Sequence, residues 1–144
     1  MREILFRGRR FDNDEWIYGY LGINPSDPGD DENTFMSDLE NPWVWHYVYP
    51  ETVGQYTGML DANGKKIFEG DFVKVDDDVK SYFSITDGVV MFARGHFYIS
   101  GKNNQRLLDS LDAVADYRGV VRGLVSGNIH DNPELKELTH AAQN

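Results

Sequence analysis

A small, mainly β fold, a barrel or a sandwich with one short helix, is what this sequence predicts. Three observations carry that reading. The apolar and aromatic runs are short and alternate with polar residues, the pattern of half-buried strands. Fourteen Gly and five Pro punctuate the 144 residues and keep the runs short. Only one stretch has apolar residues at helical spacing.

The elements follow in order. Ile4 to Gly8 reads as a strand, Arg9 to Asp14 as a turn, and Trp16 to Leu21 as the answering strand of a hairpin. Period two puts Trp16, Tyr18 and Tyr20 on one face and Ile17 and Leu21 on the other. Asn24 to Asn33 holds two Pro, one Gly and four acids, too polar to bury, and is expected as a surface loop. Trp43 to Tyr49 is a strand stopped by Pro50. Asp61-Ala62-Asn63-Gly64 is a hairpin turn, because Asn-Gly tolerates positive φ. Gly70-Asp71 bends the chain before the strand Phe72 to Val75, and Asp76-Asp77-Asp78 makes an acidic turn. Gly88 to Ala93 and His96 to Ile99 form another hairpin about Arg94-Gly95. Leu107, Leu108, Leu111, Val114 and Ala115 mark the short amphipathic helix, over 105–115. Gly119 to Gly127 returns to strand, and Asn132-Pro133-Glu134-Leu135 starts a helical turn. The tail over 136–144 is expected to be disordered.

Composition excludes several functions. The chain has no Cys, which removes disulfides, thiolate metal sites and a thiol nucleophile. Its 14 Lys+Arg against 24 Asp+Glu leave a net charge of −10, which repels phosphates and anionic membranes. No apolar run approaches the roughly 18 residues of a membrane span, and Met1 to Phe11 lacks the apolar core of a leader peptide. A soluble, cytoplasmic protein of one domain over 1–144 is the expectation.

No motif for catalysis is present: neither Gly-x-Ser-x-Gly, nor a phosphate loop, nor a dinucleotide fingerprint. Asp61-Ala62-Asn63-Gly64 begins like a calcium loop, but Lys65, Lys66 and Phe72 occupy the places that such a loop gives to an oxygen ligand, Gly and Glu. His46, His96, His130 and His140 have no metal spacing within one element. No catalytic, metal or cofactor site is therefore assigned. The feature with functional content is the strand 43–49, whose face carries Trp43, Trp45, Tyr47 and Tyr49, with Val44, His46 and Val48 opposite. Aromatics of this kind either fill a core or form a contact surface, and the second reading makes the protein a homo-oligomer.

Several segments resemble the YopX family of phage and prophage proteins. These are Arg2 to Gly8 with Glu15 to Gly19, Glu51 to Gly58 running into Asp61 to Asp71, and Gly127 to Leu135. His130 stands where that family more usually has an aromatic. The resemblance spans nearly the whole chain; 23–42, which it marks as a variable acidic loop region, and 76–118 depart from it. It implies an SH3-like barrel or roll with extra hairpins and a gene carried by a phage or prophage. It implies no activity and no catalytic residues. Gly54, Gly58, Asn63, Gly64, Gly70 and Asp71 have a structural account as turn residues, and Ile67, Phe68, Phe72 and Val73 as core.

The first functional expectation is a non-enzymatic accessory protein that binds itself or a host or phage protein, an acidic surface suiting a basic partner. The alternative is a nucleic-acid-associated barrel in which Trp43, Trp45 and Tyr47 stack bases, for which their sequence neighbours lack the needed Lys and Arg. An enzyme with a site assembled only in space is the third.

Overall fold

A computed structural model describes residues 2–23, 34–102 and 110–141. The chain divides into two compact units, Met1–Tyr56 and Thr57–Asn144. The architecture is mainly β, with two antiparallel sheets. No helix among the described residues is long and apolar enough to cross a membrane.

The first unit contains β1 (Phe6–Arg9), β2 (Trp16–Ile23), β3 (Thr34–Asp38), β4 (Trp45–Tyr47) and the start of β5 (Gly54–Leu60). These strands lie in the order β4-β3-β2-β1-β5. β1 and β2 form the expected hairpin, Phe6 opposite Gly19 and Arg9 opposite Trp16. Its turn is held by the Arg10 N–H donating to the Glu15 carbonyl at 2.9 Å and by an Arg10–Asp12 ion pair at 2.7 Å. The inner face buries Ile17, Met36 and Val48, with Phe6, Leu21 and Val53 packed against them. Gly8 makes room there: a Cβ on it would stand 2.9 Å from the Met36 sulfur.

β3 was not expected. It lies inside the segment read as an acidic loop, yet Phe35 and Met36 pair with Gly22 and Leu21 in register. Met36 is fully buried. A strand of only five residues flanked by acids carries too little periodicity to stand out. The expected loop over 24–33 lies outside the described residues.

The sheet curls. The Phe11 N–H donates to the Tyr47 carbonyl, the Tyr49 N–H donates to the Arg9 carbonyl, and Arg10 and Val48 form a single bridge. The curl stops short of the barrel that was expected. In the second unit the order β10-β7-β8-β9 leaves an open sheet with two ends.

The second unit continues β5 and adds β6 (Lys66–Phe68), β7 (Asp71–Val75), α1 (Asp77–Phe83), β8 (Gly88–Ala93), β9 (His96–Ser100), β10 (Gly123–Asn128) and α2 (Lys136–Ala141). Ile67, Val73, Val79, Val90, Ile99, Leu111 and Val121 form its core. β8 and β9 turn through Arg94 and Gly95, both at positive φ (52° and 83°), as the Arg-Gly pair suggested.

Three expectations change here. Asp76-Asp77-Asp78 is not a free turn. It opens α1, with Asp76 as N-cap residue and Asp77 and Asp78 in the first turn, where carboxylates meet the positive end of the helix. Val79 anchors that helix in the core at 1% exposure. Of the helix read over 105–115, residues 105–109 lie outside the described residues, and Leu111–Val114 form one 3-10 turn with Leu111 and Val114 buried. Lys136 to Ala141, expected as disordered tail, form α2, and the Ser100 hydroxyl donates to the Leu138 carbonyl.

The turn after β5 is built as the sequence suggests. Gly64 has φ +82° with open space around it. Gly64→Val therefore meets no clash and feels only backbone strain, about 1–2 kcal/mol for a β-branched residue held at positive φ. Urea unfolding is expected to show that loss; an unchanged midpoint would contradict the placement.

The loop 116–120 offers a pH-dependent test. The Asp116 carboxylate accepts from the Arg118 and Val120 N–H groups at 2.8 and 3.1 Å and from the Arg118 guanidinium at 2.8 Å. The Arg118 hydrogen bond, followed by those backbone donors, holds the Asp116 carboxyl below its ordinary value of 3.8. A lowered folded pKa means that this contribution is present above the unfolded value and is lost as pH falls through the folded one. NMR titration is expected to place the Asp116 midpoint below 3.8, with the Val120 amide shifting in parallel. A midpoint at or above that value would contradict these hydrogen bonds to the Asp116 carboxylate.

Candidate functional site

The outer face of the first unit's sheet is the candidate site. Because Ile17 and Leu21 point inward, Trp16, Tyr18 and Tyr20 point outward, as their spacing required. Register then decides what joins them. β1 sets Arg9 opposite Trp16 and Arg7 opposite Tyr18. β3 sets Ser37 opposite Tyr20 and Phe35 opposite Gly22. β4 sets Trp45 opposite Ser37 and Tyr47 opposite Phe35. The face thus carries two rows, Tyr20–Ser37–Trp45 and Gly22–Phe35–Tyr47, with an arginine–tryptophan cluster beside them.

Small residues make the rows possible. A Cβ on Gly22 would lie 2.5 Å from the Phe35 ring, so only glycine leaves that ring room to lie across β2. Phe35 meets Trp45 and Tyr47 edge-on, with centroids 5.1 and 6.3 Å away. Tyr20, Trp45 and Tyr47 remain 52%, 49% and 59% exposed, and Trp43, in the turn before β4, is 90% exposed. At the other end the Arg7 and Arg9 guanidinium groups stack over Trp16, 5.0 and 5.3 Å from the ring.

The aromatic run 43–49 is therefore not the core of the unit. Only Trp45–Tyr47 are strand, and the inward residue is Val48, at 2% exposure. Tyr49 leaves the face and packs against Phe11 at 4.9 Å. A curled sheet of this size has one interior, and Ile17, Met36 and Val48 already fill it, which leaves the indoles outside. Sequence reasoning missed Phe35, Arg7 and Arg9 as members of this face. The Trp16-Tyr18-Tyr20 alternation was a signal for the face itself, while its partners come from strands that only pairing brings alongside.

The face lies on an acidic unit. Residues 1–56 carry eleven acids, four arginines and no lysine, a formal −7 of the chain's −10. Three of those arginines are committed, Arg7 and Arg9 to Trp16 and Arg10 to Asp12. The hydrogen bond from Arg10 holds the Asp12 carboxyl below its ordinary value.

The residues of the most recognisable stretch, 51–71, hold turns instead of forming a site. Asp61 is 2% exposed; one carboxylate oxygen accepts from the Asn63 and Lys65 N–H groups and the other from the Val125 N–H. Asp71, 1% exposed, accepts from the Phe68 N–H at 2.8 Å. Gly58, Gly64 and Gly70 have positive φ. Gly54 instead opens β5 opposite Arg7, and Asn63 lies in the turn that Asp61 holds. At the C-terminal end, the Asn128 side-chain oxygen Oδ1 accepts from the His130 and Asp131 N–H groups, both at 2.9 Å. Among the described residues no three His, Asp or Glu side chains gather as metal ligands. Among the described residues of the second unit, a depression of about 570 Å3 is lined by Asp78, Val79, Ser81, Tyr82, Phe83 and Arg122.

A crystal structure of protein EF1440 from Enterococcus faecalis is similar, at 21% sequence identity and a TM-score of 0.49, over 94% of this chain and 99% of that one. No curated protein matches the sequence. The family model described as YopX protein matches residues 5–137, most of each unit and every turn just described. The chain belongs to the YopX family.

Proposed function

We propose that this YopX protein is a phage- or prophage-borne accessory protein that acts by binding another protein, and that the outer face of its first sheet is the docking surface. One observation carries the reading: Tyr20, Trp45 and Tyr47 are each about half exposed on a single sheet face. Large aromatics grouped in this way mark contact surfaces, because they bury much area while losing few rotors. The use of Asp61, Asp71 and Asn128 as turn fasteners supports it, since the recognisable motifs are then spent on shape and leave binding to the surface.

The test is quantitative affinity capture from host cells with the wild type, a Tyr20→Ser/Trp45→Ser variant and a Tyr82→Ser/Tyr117→Ser control. A partner lost by the face variant and kept by the control is the expected outcome. Partners kept equally by all three would overturn the reading.

A nucleic-acid reading draws on one observation, the placement of Arg7 and Arg9 on the same face as Trp16. Arg7 is only 4% exposed, and the net charge of −10 opposes phosphate. No duplex shift is expected at physiological salt. A micromolar gel shift that weakens with salt would favour this second reading.

A further inference from the structure

We propose that the occupant of this face is a basic protein segment whose Arg or Lys side chains lie over Tyr20, Trp45 and Tyr47. The inference rests on the docking reading above and adds the partner's chemistry. Two independent observations lead to it.

The first is charge. The described residues of the unit that bears the face, 2–23 and 34–56, hold seven acids and four arginines, a formal −3, and three of those arginines are held by Trp16 and Asp12. Its field attracts cations and steers a basic partner inward. A second copy of this unit would set the same excess of acids against itself, and a nucleic acid would bring phosphates to those acids. Of the three occupants considered, only a basic segment is drawn by both the charge and the rings.

The second is an internal precedent. The same face already holds guanidinium groups on an aromatic ring: Arg7 and Arg9 stack over Trp16 at 5.0 and 5.3 Å. Arg recognises an indole or phenol ring through its face. Trp45 and Tyr47 continue the face with rings held upright by Phe35, half exposed and fixed by edge contacts. Such preorganised rings lose little freedom on binding. A flat sheet face suits an extended segment, whose alternate side chains face the sheet along its length.

The experiment is fluorescence-anisotropy titration of the full chain with four-repeat Arg-Gly-Gly, Ser-Gly-Gly and Glu-Gly-Gly peptides at about 50 and 150 mM salt, near the Debye lengths where surface charge is first felt and then screened. The expected result is binding of the arginine peptide at least about 10-fold tighter than the serine peptide, with no binding of the glutamate peptide. A Tyr20→Leu/Trp45→Leu variant is expected to lose about 10-fold for the arginine peptide, and a Tyr82→Leu/Tyr117→Leu control less than about 2-fold. Equal losses in the two variants mean unspecific charge attraction and overturn the inference. Should the face variant fail to fold, the wild type decides by NMR: the arginine peptide must shift the Trp45 indole and the Tyr20 and Tyr47 amides, and shifts elsewhere overturn the proposal. No arginine-peptide binding, together with a captured partner still lost by the face variant, refutes the basic ligand and leaves the docking reading intact. A wild-type dimer in sedimentation that the face variant dissociates assigns the face to a second copy, with the same consequence. A face variant that changes nothing in either assay refutes both.

Discussion

Gly19→Ala is expected to cost at least about 3 kcal/mol, the upper range of overpacking penalties, and to leave the first unit without its native sheet. Gly19 lies in the middle of β2, opposite Phe6 on one side and Asp38 on the other. A Cβ there would sit 1.6 Å from the Ser37 carbonyl oxygen, inside any tolerable contact. The obstacle is backbone, so no rotamer change relieves it; β3 has to move away from β2. Moving β3 withdraws Met36, which is fully buried, and dissolves the Tyr20–Ser37–Trp45 row. Urea unfolding followed by tryptophan fluorescence checks this, because Trp16 and Trp45 both lie in that sheet. A midpoint within experimental error of wild type would show that the approach of β3 to Gly19 is wrong. Gly8→Ala is the milder companion: its Cβ would meet the flexible Met36 side chain, which can shift.

Asp61→Ala is expected to be nearly as severe, about 2–3 kcal/mol, because three backbone hydrogen bonds to one buried, charged acceptor are lost together. The carboxylate is 2% exposed and accepts three backbone hydrogen bonds. Two fasten the turn that carries Gly64, and the third reaches Val125 in β10, 64 positions along the chain. Removing it leaves the Asn63, Lys65 and Val125 N–H groups without this acceptor. Asp61→Asn keeps one acceptor oxygen and sets an NH2 group against the remaining donors, so it is expected to lose less than Ala but still more than 1 kcal/mol, on the scale of one charged hydrogen bond. Hydrogen exchange at Lys65 and Val125 separates this from a general loss of stability: both amides should lose protection even where the β8–β9 hairpin keeps its own. Retained protection at both would show that the carboxylate does not hold them.

These two residues illustrate what could be read in advance. Asp61 belongs to a legible turn, since Asn63-Gly64 requires a reversal whatever surrounds it. The contact to Val125 was not legible, because it depends on where β10 comes to lie. Gly19 was legible only as a glycine inside a strand; the reason for it is the Ser37 carbonyl, on a strand that was itself hidden among acids. Asp76-Asp77-Asp78 shows a different limit. Three acids suit a solvated turn and a helix start equally, and Val79 finding the core decided for the helix.

By itself the sequence determined the β character, the hairpins at Arg9–Asp14, Asn63-Gly64 and Arg94-Gly95, and the division of β2 into an aromatic and an aliphatic face. Those properties depend on residue type and on spacings of one to four positions, which the chain carries locally. The family was legible for the same reason, because its recognisable stretch is a series of turns. Only the tertiary structure decided that the aromatic side of strand 43–49 faces outward. Period two says which residues share a face and not which face meets the core, and that choice fell to Val48 once Ile17 and Met36 had formed an interior. The same pairing brought Arg7, Arg9, Phe35 and Trp45 from three separate strands onto the face of Trp16 and Tyr20. A surface of that kind is a property of register between strands, and no single strand encodes it.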